Sequence, residues 1–142
     1  RVVGLPGDTI EIVDKEVFIN GEKISTMSIL GTKKGKEILD DMDDRFKRYD
    51  LNLFSAETGD AKHVIQFNKN DPTNSYYPKT VIPEGKYFVM GDNRDFSYDS
   101  RFWGYVDHKL IKGKAILVWF SMIFPFENPF KFRPWRIGTL IK

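Results

Sequence analysis

Residues 16–24 read Glu-Val-Phe-Ile-Asn-Gly-Glu-Lys-Ile, two short β-prone runs on either side of Asn20-Gly21. Asn and Gly tolerate the positive φ angles of a type I′ turn, whose twist matches that of the strands it joins. The pattern therefore predicts a hairpin over Glu16–Ile24. Just before it, Thr9–Val13 alternates apolar and polar residues with the period-two pattern of a half-buried strand. Leu5-Pro6-Gly7-Asp8 fits a type II turn, with Pro at the first central position and Gly at the second.

The rest of the chain continues in this style. Lys36–Tyr49 places Ile38, Leu39, Met42, Phe46 and Tyr49 at helical spacing, so a short helix is expected there. Tyr49–Glu57 and Ala61–Phe67 are strand-like runs around Thr58-Gly59-Asp60 and predict a second hairpin. Ser25–Lys36 and Asn68–Lys79 read as loops. Lys86–Met90, Arg101–Val106, Lys114–Ser121 and Ile137–Ile141 read as strands. Strands outnumber helices and no βαβ alternation is visible. The expected fold is therefore mainly β: an antiparallel β-sheet core over 1–24 and 81–142, with a small inserted β-rich cap lobe over 25–80.

Composition narrows the chemistry. The 142 residues contain no cysteine, which excludes disulfides, thiolate metal sites and a cysteine nucleophile. His63 and His108 are the only histidines, too far apart in the chain for an HExxH zinc helix, and no metal or cofactor is expected. Lys and Arg total 22 against 20 Asp and Glu, so the charge offers no argument for a nucleic-acid partner. Both histidines read as surface or structural positions.

One segment stands apart. Gly91-Asp92-Asn93-Arg94-Asp95-Phe96-Ser97-Tyr98-Asp99-Ser100-Arg101-Phe102-Trp103-Gly104 is dense in charged and amide side chains yet lies between two apolar strands. Polar loops held on a rigid sheet often carry function. Asp99 and Arg101 are two residues apart and suited to a carboxylate–guanidinium pair. The residues alone leave three readings open. One is a polar turn capping its own backbone. Another is a calcium loop, though Tyr98 stands where an EF-hand needs Gly, and Gly104 where it needs a bidentate Glu. The third is a loop that supports catalysis.

Gly-Asp-Asn-Arg-x-x-Ser-x-Asp-Ser-Arg-x-x-Gly, complete from Gly91 to Gly104, resembles the signature of the bacterial type I signal peptidases, serine proteases of the Ser–Lys dyad class. Arg1–Asp8 resembles a second box of that family, Glu57–Ile65 a third segment, and Arg136-Ile137-Gly138 its ending. The resemblance implies a membrane-bound endopeptidase that removes signal peptides from exported proteins. It implies a place on the outer, periplasmic side of the bacterial cytoplasmic membrane.

It also implies where the dyad lies. The general-base lysine would immediately precede Arg1, and the nucleophilic serine would lie further upstream in a Ser-Met-x-Pro type box that these residues do not contain. No catalytic residue is thus expected on the chain, which alone should be inactive. Ser97 would hold the lysine amine, with Asp99, Arg101, Asp92, Asn93 and Arg94 as catalytic support. A Ser–Lys self-cleaving protease core of the LexA type and a non-enzymatic β binding module are the alternatives.

The C-terminal stretch is aromatic and basic. Trp119, Phe120, Phe124, Phe126, Phe130, Phe132 and Trp135 are interleaved with Lys131, Arg133 and Arg136. Ala115–Phe126 is too interrupted to be the ~20 apolar residues of a spanning helix. Trp119 is expected in the core. Phe124, Phe126, Phe130 and Trp135 are expected to touch the membrane surface, where aromatic and basic side chains suit the headgroup zone. Signal peptides and lipid are then the expected partners, and open sheet edges would favour self-association.

Overall fold

The computed structural model describes residues 1–59, 61–73, 75–123 and 131–141, which divide into two compact units, Arg1–Ile111 and Lys112–Lys142. In the first, β2 (Thr9–Val13) pairs with β3 (Glu16–Ile19), which pairs with β4 (Glu22–Lys23), all antiparallel. Asn20 and Gly21 take φ of 54° and 83°, the positive angles expected of the hairpin turn. The Asn20 side chain fixes the turn further: its Oδ1 accepts from Thr9 N at 2.9 Å, and its Nδ2 donates to Asp8 Oδ1 at 2.8 Å. Gly7 has φ 85° and Asp8 N donates to Leu5 O at 3.1 Å, as a type II turn requires.

The other edge of β2 carries β8 (Tyr76–Val81), giving the order β4-β3-β2-β8. The expected loop over 68–79 thus ends as a strand, because its polar residues are followed by Tyr76-Tyr77, which reach the sheet edge. Strand β1 (Val2–Gly4) and strand β10 (Val106–Asp107) flank β9 (Lys86–Val89). Val3, Ile10, Ile12, Val17, Ile82, Phe88 and Met90 form one buried cluster, and Phe88 packs edge-on against Tyr77 and Tyr105. A Cβ on Gly4 would lie 2.3 Å from Ile82 Cδ1, so a side chain there requires the buried Ile82 to move.

A second sheet has the order β5-β6-β7, with β5 at Thr26–Ser28, β6 at Leu51–Thr58 and β7 at Ala61–Asn68. The long β6–β7 hairpin matches the sequence expectation. The expected helix over 36–49 is instead two, α1 (Lys33–Asp40) and α2 (Asp44–Lys47). Asp43 breaks it by capping the second, its side chain accepting from Arg45 N at 3.0 Å, a bond available only outside a helix interior. The apolar face survives the break: Phe46 and Tyr49 both pack on Phe96, with ring centroids 5.3 and 4.7 Å apart.

Three further strand expectations fail. Residues 101–106 begin in α3 (Ser100–Trp103) because the Asp99 side chain caps it, accepting from Arg101 N, and Gly104 at φ 86° ends it. In the second unit, neither residues 114–121 nor residues 137–141 form a regular strand. A single antiparallel bridge joins Leu117 to Leu140, flanked by Val118 N to Thr139 O at 2.9 Å and Ile141 N to Ile116 O at 2.9 Å. Beyond it, β11 (Met122–Ile123) pairs with β12 (Lys131–Phe132). Trp119, expected in the core, is 80% exposed. Its ring meets Phe120, with centroids 5.8 Å apart, and the segment that carries it is held by the single Leu117–Leu140 bridge rather than by a sheet.

Candidate active-site scaffold

Gly91–Gly104 is a clamp centred on one carboxylate. Asp99 is buried, and its two oxygens accept from Arg101 Nε at 2.7 Å and Arg101 Nη2 at 2.8 Å, the forked geometry of a strong guanidinium pair. Asp99 Oδ2 also accepts from Gly91 N at 2.8 Å, and Arg101 reaches on to donate to the Arg94 carbonyl. Burial alone would raise the Asp99 carboxyl. The hydrogen bonds from Arg101 and Gly91, the Arg101 charge and the Ser97 hydroxyl outweigh it and hold the group below the ordinary carboxylate value. The pair expected from the sequence is therefore present, although Asp99 caps a helical turn rather than lying in a strand.

Ser97 is partly buried and sits against Gly91. A Cβ on Gly91 would lie 2.2 Å from Ser97 Oγ and 2.6 Å from its Cβ, so glycine is required for the hydroxyl to occupy this place. Ser100, fully buried, accepts from Val89 N at 2.9 Å and ties the loop to β9. Asp92 receives both Nε and Nη2 of Arg1 at 3.0 Å. Arg1 N donates to Met90 O at 2.9 Å, and Met90 N donates to Arg1 O at 2.9 Å, so Arg1 and Met90 are directly opposite each other. The start of the chain thus lies beside the Ser97 loop.

The other flank of the loop is held by β7. Gln66 N donates to the Asp92 carbonyl at 2.9 Å, Gln66 bridges Asn93, and Asn68 N donates to Asp95 Oδ2 at 2.8 Å. Lys15 Nζ donates to the same Asp95 oxygen at 2.8 Å. Asn93 lies at the turn that leads into Arg94–Phe96, its Oδ1 buried without a partner among the described residues. Arg94 is 2% exposed, and burial, with Arg101 adding repulsion, lowers its guanidinium to about 10.

His63, on β7, is buried with its Nε2 3.9 Å from Asp92 Oδ1. Burial first, then the nearby Arg1 and Arg94 charges, lower its pKa. His108 is exposed, with Nδ1 3.0 Å from the Tyr87 hydroxyl.

Sequence reasoning singled out Ser97, Asp99, Arg101, Asp92, Asn93 and Arg94, and the structure gathers all six in one loop. It did not find the part played by Arg1, Gly91, Ser100 or Lys15. Arg1 and Lys15 act across long stretches of chain. The Gly91 requirement is visible only once Ser97 is in place. Trp135 is 61% exposed in the second unit; Phe124, Phe126 and Phe130 lie outside the described residues.

Residues 1–120 match the family described as signal peptidase, peptidase S26. The chain belongs to this family. The signal peptidase I of Pseudomonas aeruginosa is 34% identical over 132 residues, covering 85% of this chain and 42% of the relative. That of Haemophilus influenzae is 35% identical over 161 aligned positions, covering 100% of this chain and 44% of the relative. The chain therefore spans less than half the length of these signal peptidases. Among solved structures, a signal peptidase I from Enterococcus faecalis V583 is 28% identical, with 81% of this chain and 79% of that one covered and a TM-score of 0.42.

Proposed function

We propose that the intact protein is a serine endopeptidase that removes signal peptides from exported preproteins, and that the Gly91–Gly104 loop positions its general base. A serine hydroxyl is a weak nucleophile and needs a base beside it. A lysine amine can serve only if burial lowers its pKa, and each tenfold gain in its acidity requires ~1.4 kcal/mol of differential interaction. Such a lysine must be shielded and held still. In the reaction the neutral amine takes the serine proton as the oxygen attacks the scissile carbonyl. The protonated amine then returns a proton to the leaving amine, and water hydrolyses the acyl-enzyme.

The observation that carries this reading is the pairing of Arg1 with Met90. An antiparallel strand continued backwards from Arg1 sets its next residue opposite Gly91, and opposed residues share a face. The Gly91 face is the one that Ser97 Oγ occupies. A lysine at that position, as the resemblance implies, meets the Ser97 hydroxyl, while Asp99 and Arg101 brace the loop behind it. Asp92, Asn93 and Arg94 complete the scaffold. Neither nucleophile nor base is then among residues 1–142, which by themselves do not cleave.

On the same reading the segment 25–80 is an inserted lobe, a view supported by the β5-β6-β7 sheet lying wholly within it, although its last residues, in β8, pair with β2 of the other sheet. The protein works at the outer face of the bacterial cytoplasmic membrane. Support for lipid contact comes from the exposed Trp119 and Trp135 and from Phe120, whose ring lies 5.8 Å from Trp119 and 5.6 Å from Phe132.

The test is a preprotein-cleavage assay on the intact protein. Ser97→Ala should lower kcat by roughly 10- to 1,000-fold with KM little changed, and Ser97→Thr should restore part of it. Wild-type kcat in Ser97→Ala, or cleavage by residues 1–142 that Ser97→Ala abolishes, would overturn the assignment.

A further inference from the structure

A cavity of about 260 Å³ opens between the β4-β3-β2-β8 and β5-β6-β7 sheets, lined by Val17, Ile24, Phe54, Ile65, Phe67 and Arg94. Its charges are arranged unevenly. Asp14 and Glu16 stand on the exposed rim, and Glu16 is taken by Lys23. Lys15 is taken by Asp95 and lies 5.6 Å from the centre of the Phe67 ring. Arg94 differs from all of these: it is 2% exposed, and its Nε is buried with no acceptor among the described residues. The carboxylates whose field reaches it, Asp92 and Asp99, are already engaged by Arg1 and Arg101. A buried guanidinium without an acceptor is costly, and an oxyanion entering from the cavity would remove that cost.

We propose that this cavity binds a small amphipathic carboxylate, with its headgroup on Arg94 and its apolar chain along Phe54, Ile65 and Phe67. The planar fork of a guanidinium matches the two oxygens of a carboxylate. The volume is below that of sites for drug-sized ligands, which suits a short alkyl chain rather than a long acyl tail. The site is distinct from the proposed peptidase chemistry, which uses the Ser97 hydroxyl beside Gly91. The two meet at Arg94, which lines the cavity and whose carbonyl accepts from Arg101.

The probe is sodium octanoate, below its micelle concentration, titrated into the ¹⁵N-labelled intact protein. The readouts are the Arg94 Nε–H resonance and the methyl signals of Val17, Ile24 and Ile65. Saturable shifts in all of them are expected, with 1-octanol and acetate each binding at least about tenfold more weakly because each lacks one half of the recognition. Because Arg94→Gln can disturb the loop itself, Thr26→Trp provides the second arm. Thr26 is exposed at the cavity mouth, and the indole should block it, weakening octanoate about tenfold while leaving the rest of the spectrum in place. Absence of a saturable shift, equal affinity for octanol, or undiminished binding in Thr26→Trp would overturn the proposal.

Discussion

Asp99 gathers the backbone N–H groups of Gly91 and Arg101 and two guanidinium nitrogens of Arg101 on one buried carboxylate, so its removal leaves several groups without partners at once. Asp99→Asn should destabilise the protein by about 3 kcal/mol, read from the urea midpoint at constant m, because Arg101 stays buried without a counter-charge. Acid should act in two stages. His63 has its pKa lowered by burial, so the unfolded chain takes up a proton first. Stability declines as pH falls below the unfolded value of 6.5, and the loss is complete below the folded value. Arg1, Asp92 and Arg94 are the charged groups that act on it. Asp99 is likewise lowered, so its contribution is intact above 3.8 and lost as pH falls through its folded value. His63→Gln should abolish the first decline and spare the second in thermal melts run across pH. A first decline of equal size in the variant would remove His63 from the account.

Elements differ in how far neighbours in sequence decide them. The β3–β4 hairpin was legible because Asn20 and Gly21 supply the turn and Asn20 holds it with its own side chain. Asn20→Ala should cost about 1 kcal/mol, since alanine both resists φ 54° and loses the bond from Thr9 N. The Asp99–Arg101 pair was legible for the same local reason. The helical turn at 100–103 was not: Phe102-Trp103 is β-prone, and only the capping geometry of Asp99 overrides that preference. Residues 114–121 looked like a strand because they are apolar, but apolar content cannot supply a pairing partner, and they find a single bridge. Contact between Gly91 and Ser97 yields a sharper test. Gly91→Ala should destabilise by roughly 1–3 kcal/mol through overcrowding, and adding Ser97→Gly should recover most of the loss. A non-interacting double-mutant cycle in denaturant would show that the two do not touch in solution.

At the level of the whole molecule, the proposed lipid contact concerns the exposed aromatics of the second unit. Trp119→Ser with Trp135→Ser should reduce partition onto anionic vesicles roughly tenfold in a flotation assay, while cleavage of a short soluble peptide by the intact protein is unchanged. Unaltered flotation would discard lipid contact at these positions. The way β7 meets the loop has a further consequence. Its outer rim is the free side of the β5-β6-β7 sheet, and residues 92–95 bond to that rim at Gln66 and Asn68. The segment proposed for catalysis therefore doubles as a guard against strand-by-strand polymerisation. Lesions that dislodge it should reach the bench as precipitate before they can be scored as slow enzymes.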